Sequence, residues 1–516
     1  MNSDILRLIN ERGILLQREL FELVMQFDDI EKARTFLDIL ERACGQKMIT
    51  TGALSGRMGS FSQGLETFSE EMQNMIKTTL VTVGVSVEVQ KIVSPVTSSA
   101  APVSSPLRYQ VFCADTKSHE KVDVSDFVGH FRSRYVQLQK ILMQRPDMQN
   151  LVSLNKIPRD RQRFSVIGLI AEKRITKNKN LILTIEDLSG RVSAVVRSES
   201  ECFSKAQELQ LDDVVALRAT GGRDFLYVHD VVYPDSFRER TRFESDACVA
   251  FVSDIHCGSQ KHLGAEFTRF LDWLNTDNEL AKKIAFIFFV GDNVDGVGVF
   301  PGQERLLTLK SLKEQYGLLA NYLKRIPQHI TMFMCPGQHD SVRVAEPQPP
   351  IDDFYGSALY YIPNLVLVSN PTLVKLFEGS NEFRILMYHG ASVHAFINEI
   401  EELRLLKAHR CPAKAVRHML KRRHLAPSHG VSTSIVYVPN SQKDALVISE
   451  VPDILCTGEV HRLDVENYNG TLILTGSCWQ AQTEFEEKVG NVPDPCKVPI
   501  FNLKTRELKV LDFGSE

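Results

Sequence analysis

Residues 284–296 read Ile284-Ala-Phe-Ile-Phe-Phe-Val-Gly-Asp-Asn-Val-Asp-Gly296, an apolar run that breaks into glycine and aspartate. An unbroken apolar run of this kind predicts a strand that is buried on both faces. Similar runs occupy residues 249–252, 330–334 and 383–387, and stretches with helical spacing lie between them. Strands that alternate with helices predict a layered α/β domain, which we place at residues 245–516.

Clusters of histidine and carboxylate side chains follow these strands, where each apolar run ends. The five clusters are Asp254-Ile-His256, Gly291-Asp292-Asn-Val-Asp295-Gly296, Gly337-Gln338-His339-Asp340, His389-Gly390 and Gly458-Glu459-Val-His461. Any one of them alone is compatible with an ordinary turn or a capped helix start. Ligands of open α/β sheets gather at the carboxyl ends of strands. Five clusters in that position therefore predict a site for a pair of divalent metal ions that hydrolyses a phosphoester.

The chain before this domain divides by composition. Residues 1–88 show apolar spacing typical of a helical domain, and residues 89–118 contain a Ser/Pro/Ala-rich stretch typical of a flexible linker. Residues 119–160 hold a connecting helix. Short β-type runs between turn residues in 161–240 predict a five-stranded OB-fold barrel.

Two alternatives stay open for these segments. The helical domain is either a small solubilising bundle or a module that docks a partner. The barrel either contacts nucleic acid or packs against the next domain; its aromatic residues Phe225 and Tyr227 are compatible with a core position.

Bulk properties restrict the partners and the compartment. A chain of 516 residues needs more than one core, and a net charge of -4 excludes a global basic field for nucleic acid. The ten cysteines form no C-x-x-C pair, which argues against a zinc ribbon or a disulfide framework. The start of the chain does not resemble a signal peptide, and no apolar run approaches membrane-spanning length. We therefore expect a cytoplasmic protein with no membrane partner.

The order of the clusters resembles the calcineurin-like metallophosphoesterase superfamily, whose motifs are Asp-x-His, Gly-Asp-x-x-Asp, Gly-Asn-His-Asp, His and Gly-His-x-His. A more specific resemblance spans about residues 120 to 505. Asp254-Ile-His-Cys-Gly-Ser259, Arg423-His-Leu-Ala-Pro427 and Trp479-Gln-Ala-Gln-Thr-Glu-Phe485 are similar to the small subunit of archaeal family-D DNA polymerases. The resemblance implies a β-sandwich flanked by helices and a 3′–5′ proofreading exonuclease acting on a DNA primer-template. It also implies a heterodimer with a large polymerising subunit.

The resemblance also implies roles for individual residues. Asp254, His256, Asp292 and His461 would hold the first metal ion, with Asp292 as the bridge, and Gln338, His389 and Glu459 would complete the second. His339 would be the catalytic residue beside the scissile phosphate. Asp295 and Asp340 would orient the ligands, although an exposed turn is an equally good interpretation of Asp295. Mn or Mg are the favoured ions, and Fe or Zn are also compatible with these donors.

Two positions depart from the superfamily motifs. Gln338 stands where the motif has Asn, and Glu459 stands where it has His. Both keep an oxygen donor, and both belong to the second ion, so we favour a retained nuclease with a harder second site. The alternative is a catalytically impaired structural subunit, as in eukaryotic replicative polymerases. A free-standing phosphatase of small molecules leaves the helical domain and the barrel unexplained.

A basic segment near residue 420 completes the candidate residues. Its members are Lys414, Arg417, Lys421, Arg422 and Arg423. They are spaced so that they could follow a DNA backbone close to the site. A solvated amphipathic helix with Val416 and Leu420 inward is the alternative.

Overall fold

The computed structural model describes residues 2–44 without 26 and 28, residues 48, 49, 68 and 76, and residues 107–514 with five gaps. The gaps are residues 117–120, 159–161, 222–224, 429–435 and 490. The chain divides into two compact units, Met1–Pro102 and Val103–Glu516. The Ser/Pro-rich stretch at residues 94–106, predicted as linker, lies outside the described residues. None of the described helices is both long enough and apolar enough to cross a bilayer.

The described part of the first unit is mainly helical. Its elements are α1 (Asn2–Arg12), β1 (Leu15–Leu16), α2 (Arg18–Val24), α3 (Ile30–Cys44) and β2 (Met48–Ile49). The two short strands pair in parallel. Leu20, Phe36 and Leu40 are fully buried, so the apolar positions that recur at helical spacing lie on the inward faces.

The second unit begins with an edge strand, a long helix and a barrel. The elements are β3 (Arg108–Cys113), α4 (Val124–Met143), β4 (Phe164–Ile175), β5 (Leu181–Asp187), β6 (Gly190–Val196), α5 (Phe203–Gln207), β7 (Val214–Gly221) and β8 (Phe225–Val232). The barrel is closed in the order β4-β5-β6-β8-β7, which confirms the predicted five-stranded barrel.

Two local interpretations of these segments were wrong. Phe225 and Tyr227 are 36% and 46% exposed, because the alternation of β8 turns Leu226 and Val228 into the barrel instead. Residues 108–113, assigned to the linker, form β3 and pair with a later strand of the large domain. The ring of Tyr109 lies 5.1 Å from that of Phe333, edge to face, so inward-facing apolar residues of β3 join the core.

The large domain contains the remaining strands and helices. Its strands are β9 (Cys248–Val252), β10 (Ile284–Val290), β11 (Thr331–Cys335), β12 (Leu365–Leu367), β13 (Thr372–Glu378), β14 (Asn381–Met387), β15 (Ile454–Thr457), β16 (Asp464–Tyr468), β17 (Thr471–Thr475), β18 (Lys497–Asn502) and β19 (Leu508–Asp512). Its helices are α6 (Gly264–Leu274), α7 (Glu279–Lys283), α8 (Leu312–Leu323), α9 (Asp353–Gly356), α10 (Val393–Glu399), α11 (Glu401–Leu405), α12 (Ala413–Arg422) and α13 (Glu484–Val489).

Two six-stranded sheets form the centre of this domain. One has the order β12-β11-β10-β9-β18-β19 and the other the order β16-β17-β15-β14-β13-β3. Phe251, Phe288, Phe333, Ile385 and Cys456 belong to one buried cluster that both sheets share. Helices α6 and α8 cover the outer face of the first sheet, and α10 and α12 cover that of the second. The predicted mixed α/β architecture is confirmed, and its parallel strands carry the clusters.

Candidate metal centre

The five clusters meet at one edge of the two sheets, each just after a strand. Asp254 and His256 follow β9, Asp292 follows β10, and Gln338 and His339 follow β11 of the first sheet. From the second sheet, His389 follows β14, and Glu459 and His461 follow β15. Parallel neighbours end at the same edge, so residues far apart in the chain come together there.

The backbone is strained at most of the predicted ligands. Asp254, His256, Asp292, Glu459 and His461 have φ angles of 52°, 50°, 47°, 71° and 56°, in the left-handed region that residues other than glycine rarely adopt. Such conformations cost free energy and are characteristic of ligand and active sites. The concentration of left-handed backbone conformations at this sheet edge is an independent indication of a ligand-binding or active site.

The predicted first-ion ligands lie around two histidine rings. Ligand atoms of Asp254, His256 and His461 all come within 4.8 Å of one another. The Nε2 atoms of His256 and His461 are 3.1 Å apart, and the Nε2 of His461 is 3.5 Å from Asp254 Oδ1. The lone pairs of two Nε2 atoms this close repel each other unless a proton or a metal cation lies between them. The arrangement is therefore suited to binding a cation.

The predicted second-ion ligands surround His389. Its Nε2 lies 3.2 Å from Asp292 Oδ2 and 3.2 Å from Glu459 Oε2. Asp254, Asp292 and His389 form another group whose ligand atoms lie within 4.8 Å of one another. Because Asp292 Oδ2 is also 4.0 Å from His256 Nε2, Asp292 lies between the two groups.

Three predicted ligand atoms have unmet hydrogen-bonding capacity. Asp254 Oδ2, Gln338 Oε1 and His389 Nε2 are buried and have no hydrogen-bond partner among the described residues. A buried polar atom without a partner is costly, and metal coordination would remove that cost. The oxygen and nitrogen donors assembled here are those of hydrolytic divalent sites, so the residues fit such an ion.

The three histidines among the predicted ligands share one hydrogen-bonding pattern. The Nδ1 of His256 donates to Asp295 Oδ1 at 3.0 Å, that of His389 to the Val290 carbonyl at 2.9 Å, and that of His461 to Glu486 Oε1 at 3.0 Å. Each ring therefore keeps Nε2 for the centre, as metal-ligating histidines do.

Asp295 and Asp340 are buried among the loops that carry the ligands. Asp295 is only 5% exposed and accepts from His256 and from Gln480 Nε2 at 3.0 Å, which does not fit an exposed turn. Asp340 accepts from Gly337 N, from the backbone and side chain of Asn293 and from the Tyr316 hydroxyl. Burial, and then Asp292, raises the pKa of Asp340 to about 6.

His339 lies at the partly open side of the centre. Its Nδ1 donates to the carbonyl of Asp295 at 2.7 Å, and its backbone N–H donates to Asp292 Oδ1 at 2.9 Å. Its ring stands edge to face against that of His256, with centroids 4.9 Å apart. Although burial lowers the pKa of His339, Asp292 and the Asp295 carbonyl outweigh it and raise that pKa.

The electrostatic environment of the centre favours positive charge. Burial lowers the pKa of His389, but Asp292 outweighs it and raises that pKa well above its usual range. Burial alone would raise the pKa of Asp292, yet His389 and His339 hold it far below its usual range. A site that stabilises positive charge on buried imidazoles in this way also suits a metal cation in place of the protons.

Gly337 permits the closest approach in the centre. A Cβ atom at this position would lie 2.2 Å from Asp292 Oδ1 and 2.5 Å from the Asp292 backbone nitrogen. Any side chain at residue 337 would therefore displace the carboxylate that lies between the two ligand groups.

The basic segment is largely occupied by contacts inside the protein. Arg422 and Arg423 are 2% and 7% exposed; Arg422 Nε lies 3.0 Å from Asp213 of the barrel, and Arg423 Nε donates to the Ile448 carbonyl at 2.7 Å. Arg417 pairs with Glu466 at 3.0 Å, and Lys421 pairs with Glu208. Val416 and Leu420 are buried, so the amphipathic-helix interpretation fits. Of the five basic residues, Lys414 and Arg423 have no ion pair with a described residue, and Arg423 donates to backbone carbonyls instead.

Several residues around the centre escaped prediction from the sequence. Glu486, Gln480 and Gln303 contact ligand loops, and His394 Nε2 lies 3.6 Å from Glu459 Oε1. Gln480 and Glu486 lie within or next to the segment 479–485 that carried the family resemblance, which was the available signal. Gln303 and His394 carry no motif and are recognisable only from their contacts.

Comparison with known proteins relates the chain to subunits of DNA polymerases. A family model that describes the B subunits of DNA polymerases alpha and epsilon matches residues 249–464. The DNA polymerase II small subunit of Pyrococcus furiosus is 36% identical over 407 residues, 76% of this chain and 64% of that protein. The chain thus spans less than two thirds of that relative.

The match to a second relative is more complete, whereas the likeness to solved structures is weak. The DNA polymerase II small subunit of Methanothermobacter thermautotrophicus is 34% identical over 405 residues, 77% of this chain and 81% of that protein. A structure described as a novel archaeal phosphodiesterase covers 51% of this chain and 98% of that one, with 11% identity and a TM-score of 0.25, too low to support a conclusion. The chain belongs to the family of DNA polymerase II small subunits.

Proposed function

We propose that this chain is a metal-dependent 3′–5′ DNA exonuclease that removes mispaired nucleotides. The observation that carries the proposal is that seven proposed ligands follow strands that end at one sheet edge, three of them with buried, unpartnered donor atoms. The ligands are Asp254, His256, Asp292, Gln338, His389, Glu459 and His461.

Two divalent ions, Mn or Mg in preference to Fe or Zn, would be held by these residues. Asp254, His256, Asp292 and His461 would hold one ion, and Asp292, Gln338, His389 and Glu459 the other. Such a pair supplies an activated water and neutralises charge on the phosphate. The carboxylates provide the hard oxygen donors that Mn and Mg prefer.

His339 would assist the reaction directly. Its Nδ1 proton is donated to the Asp295 carbonyl, so a proton on Nε2 would be free to stabilise the phosphate or to reach the leaving 3′ oxygen. The raised pKa of His339 favours that protonated form. Asp295 thus serves two rings, because its carboxylate orients His256 and its carbonyl orients His339.

The rest of the chain would serve a polymerase complex. We assign the two-sheet domain to the calcineurin-like phosphoesterase class and the barrel to the OB class, and we infer that the chain docks a large polymerising subunit in a heterodimer. The names of the relatives as small subunits support such a partner.

The catalytic proposal is tested with Asp292→Asn and a 3′-mismatched primer in Mn²⁺ or Mg²⁺. Loss of the bridging charge is expected to lower digestion at least 100-fold, the order seen when a group that stabilises transition-state charge is removed. The exposed Asp277 provides the matched control, Asp277→Asn, which should digest at the wild-type rate. Equal digestion by the two variants would remove Asp292 from the mechanism.

The second candidate is a structural subunit with an impaired second site. It is favoured by Glu459, whose carboxylate stands 3.2 Å from His389 where the superfamily motif has a histidine. A wild-type protein that digests nothing, alone or with the large subunit, together with a Glu459→His variant that digests, would establish this candidate.

A further inference from the structure

An exposed apolar loop leaves the metal centre directly after Asp295. Its residues, Val297-Gly-Val-Phe-Pro-Gly302, include no polar or charged side chain. Val297, Val299 and Phe300 are 40%, 40% and 42% exposed. Three adjacent exposed apolar side chains beside a charged site are unusual for a free surface and indicate a binding role.

The loop is fixed to the same residue that orients two histidines of the centre. Gln303 is fully buried, and its Nε2 donates to the Asp295 carbonyl at 2.7 Å. Its Oε1 accepts from the Val299 backbone N–H at 2.9 Å. The base of the loop is therefore held rigidly against the loop that carries the ligands.

The tip of the loop lies next to His339. A Cβ atom placed on Gly296 would lie 2.4 Å from the His339 carbonyl oxygen and 2.7 Å from Val299 Cγ2. Val299 and the backbone of His339 therefore line the same small space, so the apolar tip, hereafter the 297–300 loop, lies beside the segment that carries His339.

We propose that the 297–300 loop binds the nucleobase at the 3′ end of the DNA, with Phe300 stacking on its face. The proposal rests on the proposed function, since a phosphodiester held by the metal ligands carries its sugar and base within one nucleotide of His339. The exposed side chains of the loop are apolar, and the face of a base is the apolar part of a nucleotide.

This contact would select mispaired ends. A paired terminal base is already stacked and hydrogen-bonded in the duplex, and unpairing it costs free energy that a mismatched base has largely lost. Stacking on Phe300 would thus capture frayed 3′ termini in preference to paired ones. The loop would be a substrate-selecting element of the exonuclease.

The test compares two single strands that differ only in the presence of the 3′-terminal base. One ends in a normal nucleotide and the other in an abasic one, and both are digested by the full chain in Mn²⁺. Phe300→Ala is expected to lower kcat/KM about tenfold on the first strand and to leave the second unchanged, because base stacking on an aromatic ring is worth roughly that factor. Phe300→Trp should retain activity on both.

A matched control is available at the opposite edge of the sheet. Phe237 is 73% exposed. The next residue, Arg238, pairs with Asp453 just before the start of β15, and Glu459 lies beyond the other end of that strand. Phe237→Ala should digest both strands as the wild type does. An equal loss on both strands in Phe300→Ala, or no loss on either, would overturn the proposal.

Binding is measured separately from hydrolysis. A strand with 2-aminopurine at its 3′ end, titrated in Ca²⁺, should bind Phe300→Ala about tenfold more weakly than wild type or Phe237→Ala. A wild type that binds this strand but digests nothing would refute the proposed hydrolysis, while the difference in Kd still decides the loop. An unchanged Kd, with impaired assembly of the large subunit, would assign the 297–300 loop to a protein partner and reject base binding.

Discussion

Glu486 orients His461, one of the proposed metal ligands, without being a proposed ligand itself. Its Oε1 accepts from His461 Nδ1, and its Oε2 accepts from the backbone N–H and the hydroxyl of Thr483. The carboxylate is therefore fixed in place, and it fixes the ring whose Nε2 faces the centre. Loss of a partner of this kind typically weakens metal binding or activity by about 10-fold to 100-fold.

Glu486→Gln is expected to weaken Mn²⁺ binding about 10-fold to 100-fold, because the amide orients the ring of His461 less strongly than the carboxylate. Isothermal titration with Mn²⁺ measures the change. Glu487→Gln, at the exposed neighbouring position, provides the control and should bind as the wild type does. Equal affinity in both variants would show that His461 does not depend on Glu486.

The predictability of the site also differs from residue to residue. The grouping of the proposed ligands at one sheet edge was predictable because each follows an apolar strand, and neighbouring parallel strands end at the same edge. The roles of Glu486 and the Val290 carbonyl were not predictable, because they arise only when segments distant in sequence pack together. Gln303 contacts the nearby Asp295, but it lies in a loop without a recognisable motif. Asp295 had two equal interpretations until its burial excluded the exposed turn.

Helix α12 and the turn after it join the barrel to the large domain. Arg422 Nε lies 3.0 and 3.1 Å from the two carboxylate oxygens of Asp213, and both residues are buried. Its guanidinium also lies over the rings of Tyr233 and Phe396. The basic periodicity of this helix was visible in the sequence, but the acidic partners on the barrel were not.

Arg422→Ala should lower the free energy of unfolding by about 3–5 kcal/mol, since it removes the cation paired with the buried carboxylate of Asp213. Arg417→Ala is the comparison: the Arg417–Glu466 pair is partly exposed, so its loss should cost about 1 kcal/mol or less. Urea unfolding measures both. Unchanged stability of Arg422→Ala, with weaker DNA binding, would return Arg422 to the DNA-contacting set.

The turn Arg423-His-Leu-Ala-Pro427 has a structural explanation. His424 Nε2 donates to Asp444 Oδ2 at 2.9 Å, and Arg134 of α4 donates to the same carboxylate at 2.7 Å and to the Pro427 carbonyl at 2.6 Å. The turn thus anchors the connecting helix to the large domain. Burial, and then Arg134, lowers the pKa of His424 to about 4.

This shift predicts a pH dependence of stability. Because the folded pKa of His424 is below its unfolded value of about 6.5, its contribution is complete above that value and is lost as the pH falls toward 4. Between pH 7 and pH 5 the loss should be about 2 kcal/mol. His424→Gln, although less stable, should show a correspondingly smaller change in unfolding free energy over that interval. An identical pH dependence would contradict the assignment.

At the level of the whole chain, the α/β domain and the barrel were predictable because their strands are long, apolar and separated by clear turns. The edge strand β3 was not, because its short alternating pattern lies beside a linker composition and gains its stability from pairing with β13. The exposure of Phe225 and Tyr227 was also missed, since alternation alone does not say which face of a strand lines a barrel.

The two departures from the superfamily motif meet in the second ligand group. Gln338 has a buried, unpartnered Oε1, and the Glu459 carboxylate lies 3.2 Å from His389 Nε2, so both positions retain an oxygen donor. The first ligand group has its full expected set. We therefore expect a nuclease that still binds its second ion, at a site with more oxygen donors and more negative charge than the superfamily motif provides.

The most direct test is the Mn²⁺ dependence of nucleotide release from a 5′-labelled, 3′-mismatched primer by the wild-type chain with its large subunit. We predict stepwise shortening from the 3′ end, a rate that rises cooperatively with Mn²⁺ because two ions act together, and complete loss of activity with a chelator. A primer that is not shortened at any Mn²⁺ or Mg²⁺ concentration, or is shortened equally in the chelator, would contradict it.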